Sequence, residues 1–497
     1  MIADSARHSK PLPLLEGERQ HRMYIGGEWV ATAGDRWLAV LDPAVLTVIG
    51  EAPDGGQGEA RSAVDAAAAA FSEWASLAGR ERARYLLRLG ERMRESSDDL
   101  AQIITAEVGK PLRQARDEAR SAAAFVSWYG EEAKRAYGTV IPSAQRDKRV
   151  WVVRQPAGVA AAITPWNFPL GLIARKVGAA LAAGCTVVVK PAPETPLSGL
   201  AFARLAEDAG LPPGVLNVIT GDAATIAQTW LADPRVRRLS FTGSTAVGRL
   251  LVRAAAERLP RVSLELGGSA PYVVFPDADL DKAVDGLSRG KIRNAGQVCA
   301  APNRIYVHES IADEFVGKLR AMVDRVRVGN GVHPESQMGP LINEEGYRKV
   351  EEMVAEATRR GAEVHTGGTW VGEPETRTGW FWRPQVLVGA PEDCAILREE
   401  AFGPVLSVLR FSEEAEVVER ANRSPYGLGA YVFTRDLNRA VRMAEALDAG
   451  IVGINDPLPA AVEAPFGGLK ESGYGREGGA EGLAEFTEEK TVSLQLD

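Results

Sequence analysis

Apolar residues recur at helical spacing through the first quarter of the chain. Val64, Ala67, Phe71 and Trp74 share one face, Leu86, Leu89 and Met93 another, and Leu100, Ile103, Ile104 and Val108 a third. Repeats of this kind predict three amphipathic helices. An alanine-rich helix is expected after them, from about Leu112 to Ala136. Ahead of them, Met23 to Val30 predicts a hairpin turning at Gly26-Gly27. Residues 1–20 show no period and predict a loose terminus. Alternation from Val140 to Gln155 predicts an extended hairpin at a sheet edge, where an unpaired strand invites a partner chain.

From Gly158 the pattern changes to short apolar runs, each entering a turn and then a helix. Ala160–Thr164 leads into Pro165-Trp166-Asn167-Phe168-Pro169, and Thr186–Val189 into Lys190-Pro191-Ala192-Pro193-Glu194. Val215–Ile219 leads into Thr220-Gly221-Asp222, and Arg238–Phe241 into Thr242–Gly248. Strands alternating with helices make a parallel sheet whose ligands sit at the carboxyl ends of the strands. A second α/β region is expected from about Gly268 to Pro457, with strands at Ile305–Val307 and Gly429–Phe433 and a helix from Ile311 to Val326. Glu399–Val405 reads as a turn entering a strand, and Pro465–Lys470 as a glycine-rich loop.

Composition narrows the function. The chain has 497 residues, enough for two or three domains, and a net charge of −8 that argues against a general nucleic-acid surface. Its 13-residue apolar run, Val177 to Val189, is too short to cross a membrane, and 1–20 lack a signal-peptide core. Three cysteines, Cys185, Cys299 and Cys394, imply no disulfide framework and fit a reducing cytoplasm. No Cys or His spacing resembles a metal site.

Two short motifs carry candidate chemistry. Leu264-Glu265-Leu266-Gly267-Gly268 sets a carboxylate among apolar and glycine neighbours, where burial can raise its pKa into the range of a general base. Asn294-Ala295-Gly296-Gln297-Val298-Cys299 ends in a thiol, a nucleophile suited to covalent catalysis. Taken singly, a cysteine is more often a small buried hydrophobe and a glutamate a solvated charge. Thr242–Gly248 follows a strand and opens a helix, so its free N–H groups can meet a phosphate, although a plain capped helix explains the same residues.

Taken in order, Pro165–Pro169, Phe241–Thr245, Leu264–Gly268, Gly296–Cys299, Glu400–Pro404 and Pro465–Gly468 resemble the NAD(P)-dependent aldehyde dehydrogenase superfamily, over about Tyr24 to Leu494. The resemblance implies an α/β fold with a Rossmann-like coenzyme domain (1–138 and 157–267), an α/β catalytic domain (268–485) and a small β oligomerisation flap (139–156 and 486–497). It implies a homodimer or homotetramer. By motif, Cys299 matches the nucleophile, Glu265 the general base, and Asn167 the oxyanion donor, working with the backbone N–H of Cys299. Lys176 matches a lysine near the base. Lys190 and Glu400 match residues holding the coenzyme riboses. Trp166, Asn167, Pro193, Gly243, Ser244, Leu266 and Phe402 fall at other coenzyme positions, and Phe466 matches an aromatic wall of the substrate tunnel.

Within the superfamily, Ile173–Ala180, Lys291–Asn294 and Val462–Gly468 look like succinate-semialdehyde dehydrogenases, whose arginines at the positions of Arg175 and Arg293 grip the substrate carboxylate. A guanidinium suits that task, because its planar fork pairs a carboxylate bidentately. The plainer reading of either arginine is a structural salt bridge. Pro459-Ala460-Ala461 lacks a hydroxyl that part of this group uses, which leaves glutarate and 2-oxoglutarate semialdehydes open. Ala301 replaces a second cysteine able to form a regulatory disulfide. Pro193 stands where NAD-preferring members often carry an acid, so both NAD and NADP are expected to work. The competing expectations are a general aliphatic or aromatic aldehyde dehydrogenase, a CoA-acylating variant, and an inactive structural homologue.

Overall fold

The computed structural model describes residues 12, 14, 15, 22–32, 34, 36–372 and 378–497, so the expectation for 1–20 lies almost wholly outside the described residues. The three amphipathic helices form as Gln57–Ser76, Gly79–Glu95 and Ser97–Val108. The hairpin pairs Met23–Ile25 with Glu28–Val30, and Gly26 and Gly27 turn it with φ of 64° and 89°, a left-handed pair that glycine adopts without steric cost. The alanine-rich helix stops at Glu132, four residues short of the expected end. Lys134 and Arg135 donate instead to the carbonyls of Glu131 (3.3 Å) and Glu132 (2.8 Å), turns too tight to continue it. A further hairpin, Trp37–Asp42 with Thr47–Pro53, was not anticipated, because apolar runs this short have no decisive period.

Eight strands form the first sheet. Its parallel centre runs Leu216–Val218, Thr186–Lys190, Val159–Ile163, Val236–Thr242, Arg261–Glu265 across the sheet. Numbered along the chain, that order is 3-2-1-4-5, the doubly wound order of dinucleotide-binding sheets. The Met23–Ile25 hairpin extends one edge antiparallel, and Gly473–Tyr474 closes the other against Leu264 and Glu265. The apolar run from Val177 divides into the buried helix Pro169–Ala183 and the central strand Thr186–Lys190, both covered on all sides.

A second sheet of seven strands is parallel except at Glu363–Thr366, which pairs antiparallel with Gln385–Val388. Ala270–Val274 and Pro302–His308 lie at its centre. A separate sheet of three strands is antiparallel. In it Thr487–Gln495 pairs with Lys148–Pro156 along its whole length, and Thr139–Ile141 flanks the outer side. The expected edge strand therefore has a partner from its own chain. Each of the two large sheets has its own apolar core of strands and covering helices. Among the described residues no helix is long and apolar enough to cross a membrane, and no His, Cys, Asp and Glu cluster could hold a metal ion.

Candidate active site

The chain reverses sheet order between Val159–Ile163 and Val236–Thr242, so a crevice opens beyond their carboxyl ends. Thr164–Phe168 leaves the first of these strands and enters the helix Pro169–Ala183. Asn167 lies in that turn, 4% exposed, and its Nδ2 donates to the Gln297 carbonyl at 3.2 Å. Its Oδ1 is buried with no partner among the described residues. The helix that follows carries Arg175 and Lys176. Lys176 is buried, donates to Ser240 Oγ at 3.1 Å and ion-pairs with Glu477.

Glu265 is the last residue of its strand, flanked in register by Thr242 and Gly473. Both of its carboxylate oxygens are buried without a hydrogen-bond partner among the described residues. Burial lifts this carboxyl well above the ordinary range. The charge of Glu477 pushes the same way, while Lys176, Arg175 and Arg476 oppose it. Beyond it, Gly268 lies against the carbonyl of Cys299 with no room for a side chain, and its N–H donates to Glu400 Oε1 at 3.2 Å. This contact brings the two motifs together.

The segment before Cys299 is irregular. Asn294, Ala295 and Gly296 all take left-handed φ, at 52°, 53° and 74°. At Gly296 a Cβ would strike the backbone of Gly403, so only glycine serves. The Gln297 side chain ties the loop down, donating to Asn294 O (3.0 Å) and accepting from Ile342 N–H (2.9 Å). Cys299 itself is half-buried. Burial pushes its thiol up to about 12. Glu400 adds to the shift, Arg175 opposes it, and Glu265 and Glu477 raise it further. The free thiol therefore rests protonated, and its proton must leave as it attacks.

The two predicted arginines differ in their surroundings. Arg175 stacks between Phe125 and Phe466, 4.5 and 4.9 Å from the ring centroids, and reaches Glu477 at 3.8 Å. The salt-bridge reading thus holds for part of its charge. Arg293 packs on Phe168 at 5.1 Å, and its guanidinium makes no ion pair or hydrogen bond with any described residue. Burial lowers its pKa, the Glu118 carboxylate opposes that shift, and Arg175 adds to it.

The expected coenzyme residues line the same edge. Lys190 ends its strand, buried, with its pKa lowered to about 8 by burial against the pull of Glu194 and Asp222. Pro193 is exposed, and Glu194 beside it is the stronger of the two carboxylates that act on Lys190. The Gly243 amide donates to the Glu265 carbonyl at 3.0 Å, and the Ser244 hydroxyl caps the helix Thr245–Ala255 by accepting from Val247 N–H at 3.3 Å. These two groups are thus engaged within the protein. Leu266 is buried against Gly248, and Trp166 meets Phe402 edge-on at 5.5 Å. Burial raises Glu400 to about 7. The buried hydroxyls of Thr164 and Thr242 have no partner among the described residues. Open polar atoms at a doubly wound switch point, with a lysine on one side and a glutamate on the other, fit a dinucleotide. Glu477, Lys110 and Glu118 also belong to this cluster. They were not singled out from the sequence, because each comes from a segment with no chemical motif of its own.

Fold and site together define a dinucleotide-dependent oxidoreductase. The chain belongs to the aldehyde dehydrogenase family, whose family model matches residues 29–492, and it acts on aldehydes with NAD or NADP. It is 47% identical to a glutarate-semialdehyde dehydrogenase of Pseudomonas aeruginosa over 475 residues, 96% of this chain and 98% of that one. It is 47% identical to an NADP-dependent succinate-semialdehyde dehydrogenase of Escherichia coli, covering 95% of this chain and 97% of the other. A crystal structure of succinate-semialdehyde dehydrogenase from Burkholderia pseudomallei is 46% identical, with a TM-score of 0.94 over 98% of this chain and all of that chain.

Proposed function

We propose that this enzyme oxidises a short semialdehyde bearing a terminal carboxylate, succinate or glutarate semialdehyde, to the dicarboxylic acid. The observation that carries this reading is Arg293. A half-buried guanidinium, its pKa lowered by burial and with no carboxylate partner among the described residues, is left unpaired unless a ligand supplies one. A general aldehyde dehydrogenase has no use for such a charge beside its thiol. The names of the relatives agree.

Cys299 Sγ bonds to the aldehyde carbon while its proton leaves by way of Glu265 to bulk water, which returns Glu265 to the carboxylate, and the carbonyl electrons move onto oxygen. The Asn167 amide and the Cys299 N–H stabilise that oxyanion, at about 3–4 kcal/mol per donor. When bound, the nicotinamide coenzyme supplies the hydride acceptor. Collapse of the oxyanion releases the aldehydic hydrogen with its electron pair and leaves a thioester on Cys299. Glu265 then takes a proton from water, the hydroxide adds to the thioester, and the C–S bond breaks to free the acid and the thiolate. This use of Glu265 weighs against a CoA-acylating variant. Arg293 and Arg175 hold the far carboxylate, and Phe466 walls the tunnel. Lys190 and Glu400 would hold the riboses of the bound coenzyme, with Trp166, Phe402, Leu266, Gly243 and Ser244 as its other contacts. In this reading residues 1–138 and 157–267 bind coenzyme, 268–485 bind substrate, and 139–156 with 486–497 join subunits of a cytoplasmic homo-oligomer.

The test compares kcat/KM for succinate semialdehyde and for butanal, each with NAD and NADP. A preference of a hundredfold for the charged aldehyde equals about 2.7 kcal/mol of transition-state discrimination. Arg293→Ala is expected to erase most of that preference and leave butanal nearly unchanged. Equal losses on both substrates would remove the carboxylate role.

A further inference from the structure

We infer that Lys110 is a positioning residue for the Asn167 amide, held by Glu118 and acting through the backbone of residue 167. This rests on the reading of Asn167 as the oxyanion donor. Lys110 follows the helix Ser97–Val108 and is 2% exposed. Its Nζ donates to Glu118 Oε2 at 2.7 Å and to the Asn167 carbonyl at 2.7 Å, and lies 4.2 Å from the centroid of the Phe168 ring. The other oxygen of Glu118 accepts from the N–H groups of Leu170 (3.1 Å) and Gly171 (3.2 Å). One buried pair therefore grips the carbonyl of residue 167, the ring of residue 168 and the first turn of the helix that carries Arg175 and Lys176.

The grip is anchored at its far end. Leu112 N–H donates to Gly331 O at 2.9 Å, and Gly331 and Gly339 press so closely on the carbonyls of Gly109 and Lys110 that neither could carry a side chain without the backbone moving. The Asn167 carbonyl has a second donor, Asn294 Nδ2 at 3.1 Å. That amide also reaches Gln297 O, the acceptor of the Asn167 side chain. Lys110 thus closes a network between the proposed oxyanion donor and the loop that ends in Cys299. A buried ion pair adds little net stability once desolvation is counted, whereas it defines geometry well. Misplacing a donor by about 1 Å can cost on the order of a hundredfold in rate.

A double-mutant cycle separates positioning from plain structural support. It takes the full-length enzyme with saturating coenzyme, as wild type, K110M, N167A and K110M/N167A, and reads kcat, aldehyde KM, coenzyme Kd and the rate of Cys299 alkylation. K110M is expected to lower kcat by about 10- to 100-fold, with KM, Kd and alkylation within about twofold. The double variant should fall no further than N167A, and K110R should recover part of the loss. Independent losses that multiply in the double variant, or wild-type kcat in K110M, would overturn the proposal. If K110M does not fold, E118Q takes its place in the same cycle, where a loss absorbed by N167A supports the proposal and multiplying losses or wild-type kcat overturn it. Wild-type kcat in N167A would instead overturn the oxyanion assignment, and this proposal with it.

Discussion

At the scale of single residues, the environment decides which candidate groups can react. Cys185 and Cys394 are fully covered, whereas Cys299 is half-buried. With its thiol pushed up to about 12, the reactive fraction of Cys299 near neutrality is small and grows with pH. Alkylation of the coenzyme-free enzyme by iodoacetamide should therefore accelerate about tenfold per pH unit between pH 7 and 9. A plateau in that range would mean a thiolate activated in the free enzyme. Glu265, in its proposed role, has the opposite requirement, because a carboxyl serves as a base only once deprotonated. Its raised pKa places that step above the usual carboxylate range, so kcat should rise with pH along the limb where Glu265 loses its proton. Glu265→Gln should flatten the limb and let the thioester accumulate, visible as a burst of reduced coenzyme followed by slow turnover. A steady rate without a burst would shift the base role elsewhere. These two residues were legible as chemistry in the sequence. Their partners Glu477, Lys110 and Glu118 were not, because charges far apart in the chain acquire meaning only when folding desolvates them together.

At the scale of elements, hydrophobic period located the helices of residues 57–108 and the parallel strands from 159 to 242, because each must bury one face. It did not reveal Arg261–Glu265 as a strand, although that strand presents the proposed general base, since its pattern of alternate polar and apolar residues is too short to separate from a turn. The left-handed passage through Asn294, Ala295 and Gly296 was equally hidden, as it goes with the close approach of Gly296 to the Gly403 backbone rather than with propensity. Ala295→Gly should leave stability unchanged or raise it slightly, whereas Ala295→Val, a β-branched residue at φ 53°, should cost about 1–3 kcal/mol in denaturant unfolding. An element can also draw its cap from a neighbour. Glu107, from the helix Ser97–Val108, accepts from Leu197 N–H (2.5 Å), Ser198 N–H (3.0 Å) and Ser198 Oγ (2.5 Å) at the start of Pro196–Asp208. Burial nonetheless raises this carboxyl to about 8, above its unfolded value, so the folded state holds the proton more tightly. The linked stabilisation is full below about pH 4.5 and is lost as pH rises through about 8. Glu107→Gln should therefore show a smaller fall in stability than wild type between pH 5 and 8, and parallel profiles would remove Glu107 from that dependence.

At the scale of the whole molecule, the chain joins two large sheets at one seam and sets a smaller three-stranded sheet apart from them in pairing. The two large sheets meet where Gly267 and Gly268 pass Glu400 and Cys299, so the thiol sits at the seam between the doubly wound sheet and its neighbour. The third sheet commits the C-terminal strand to Lys148–Pro156 over nine paired positions. Removing residues 487–497 would bare that strand, and size-exclusion chromatography should then show aggregation or an altered oligomer, whereas an unchanged profile would take the flap out of assembly. By itself the sequence determined the alternation of strands and helices, the order of the motifs and the identities of thiol, carboxylate, amide and guanidinium, because local period and residue chemistry are written in adjacent positions. Tertiary structure alone decided the 3-2-1-4-5 strand order, the burial that raises Glu265 and Cys299, and the contrast between a stacked, ion-paired Arg175 and an Arg293 without an ion partner among the described residues. Each of these depends on removing water from groups tens to hundreds of residues apart, and no window of sequence contains that information.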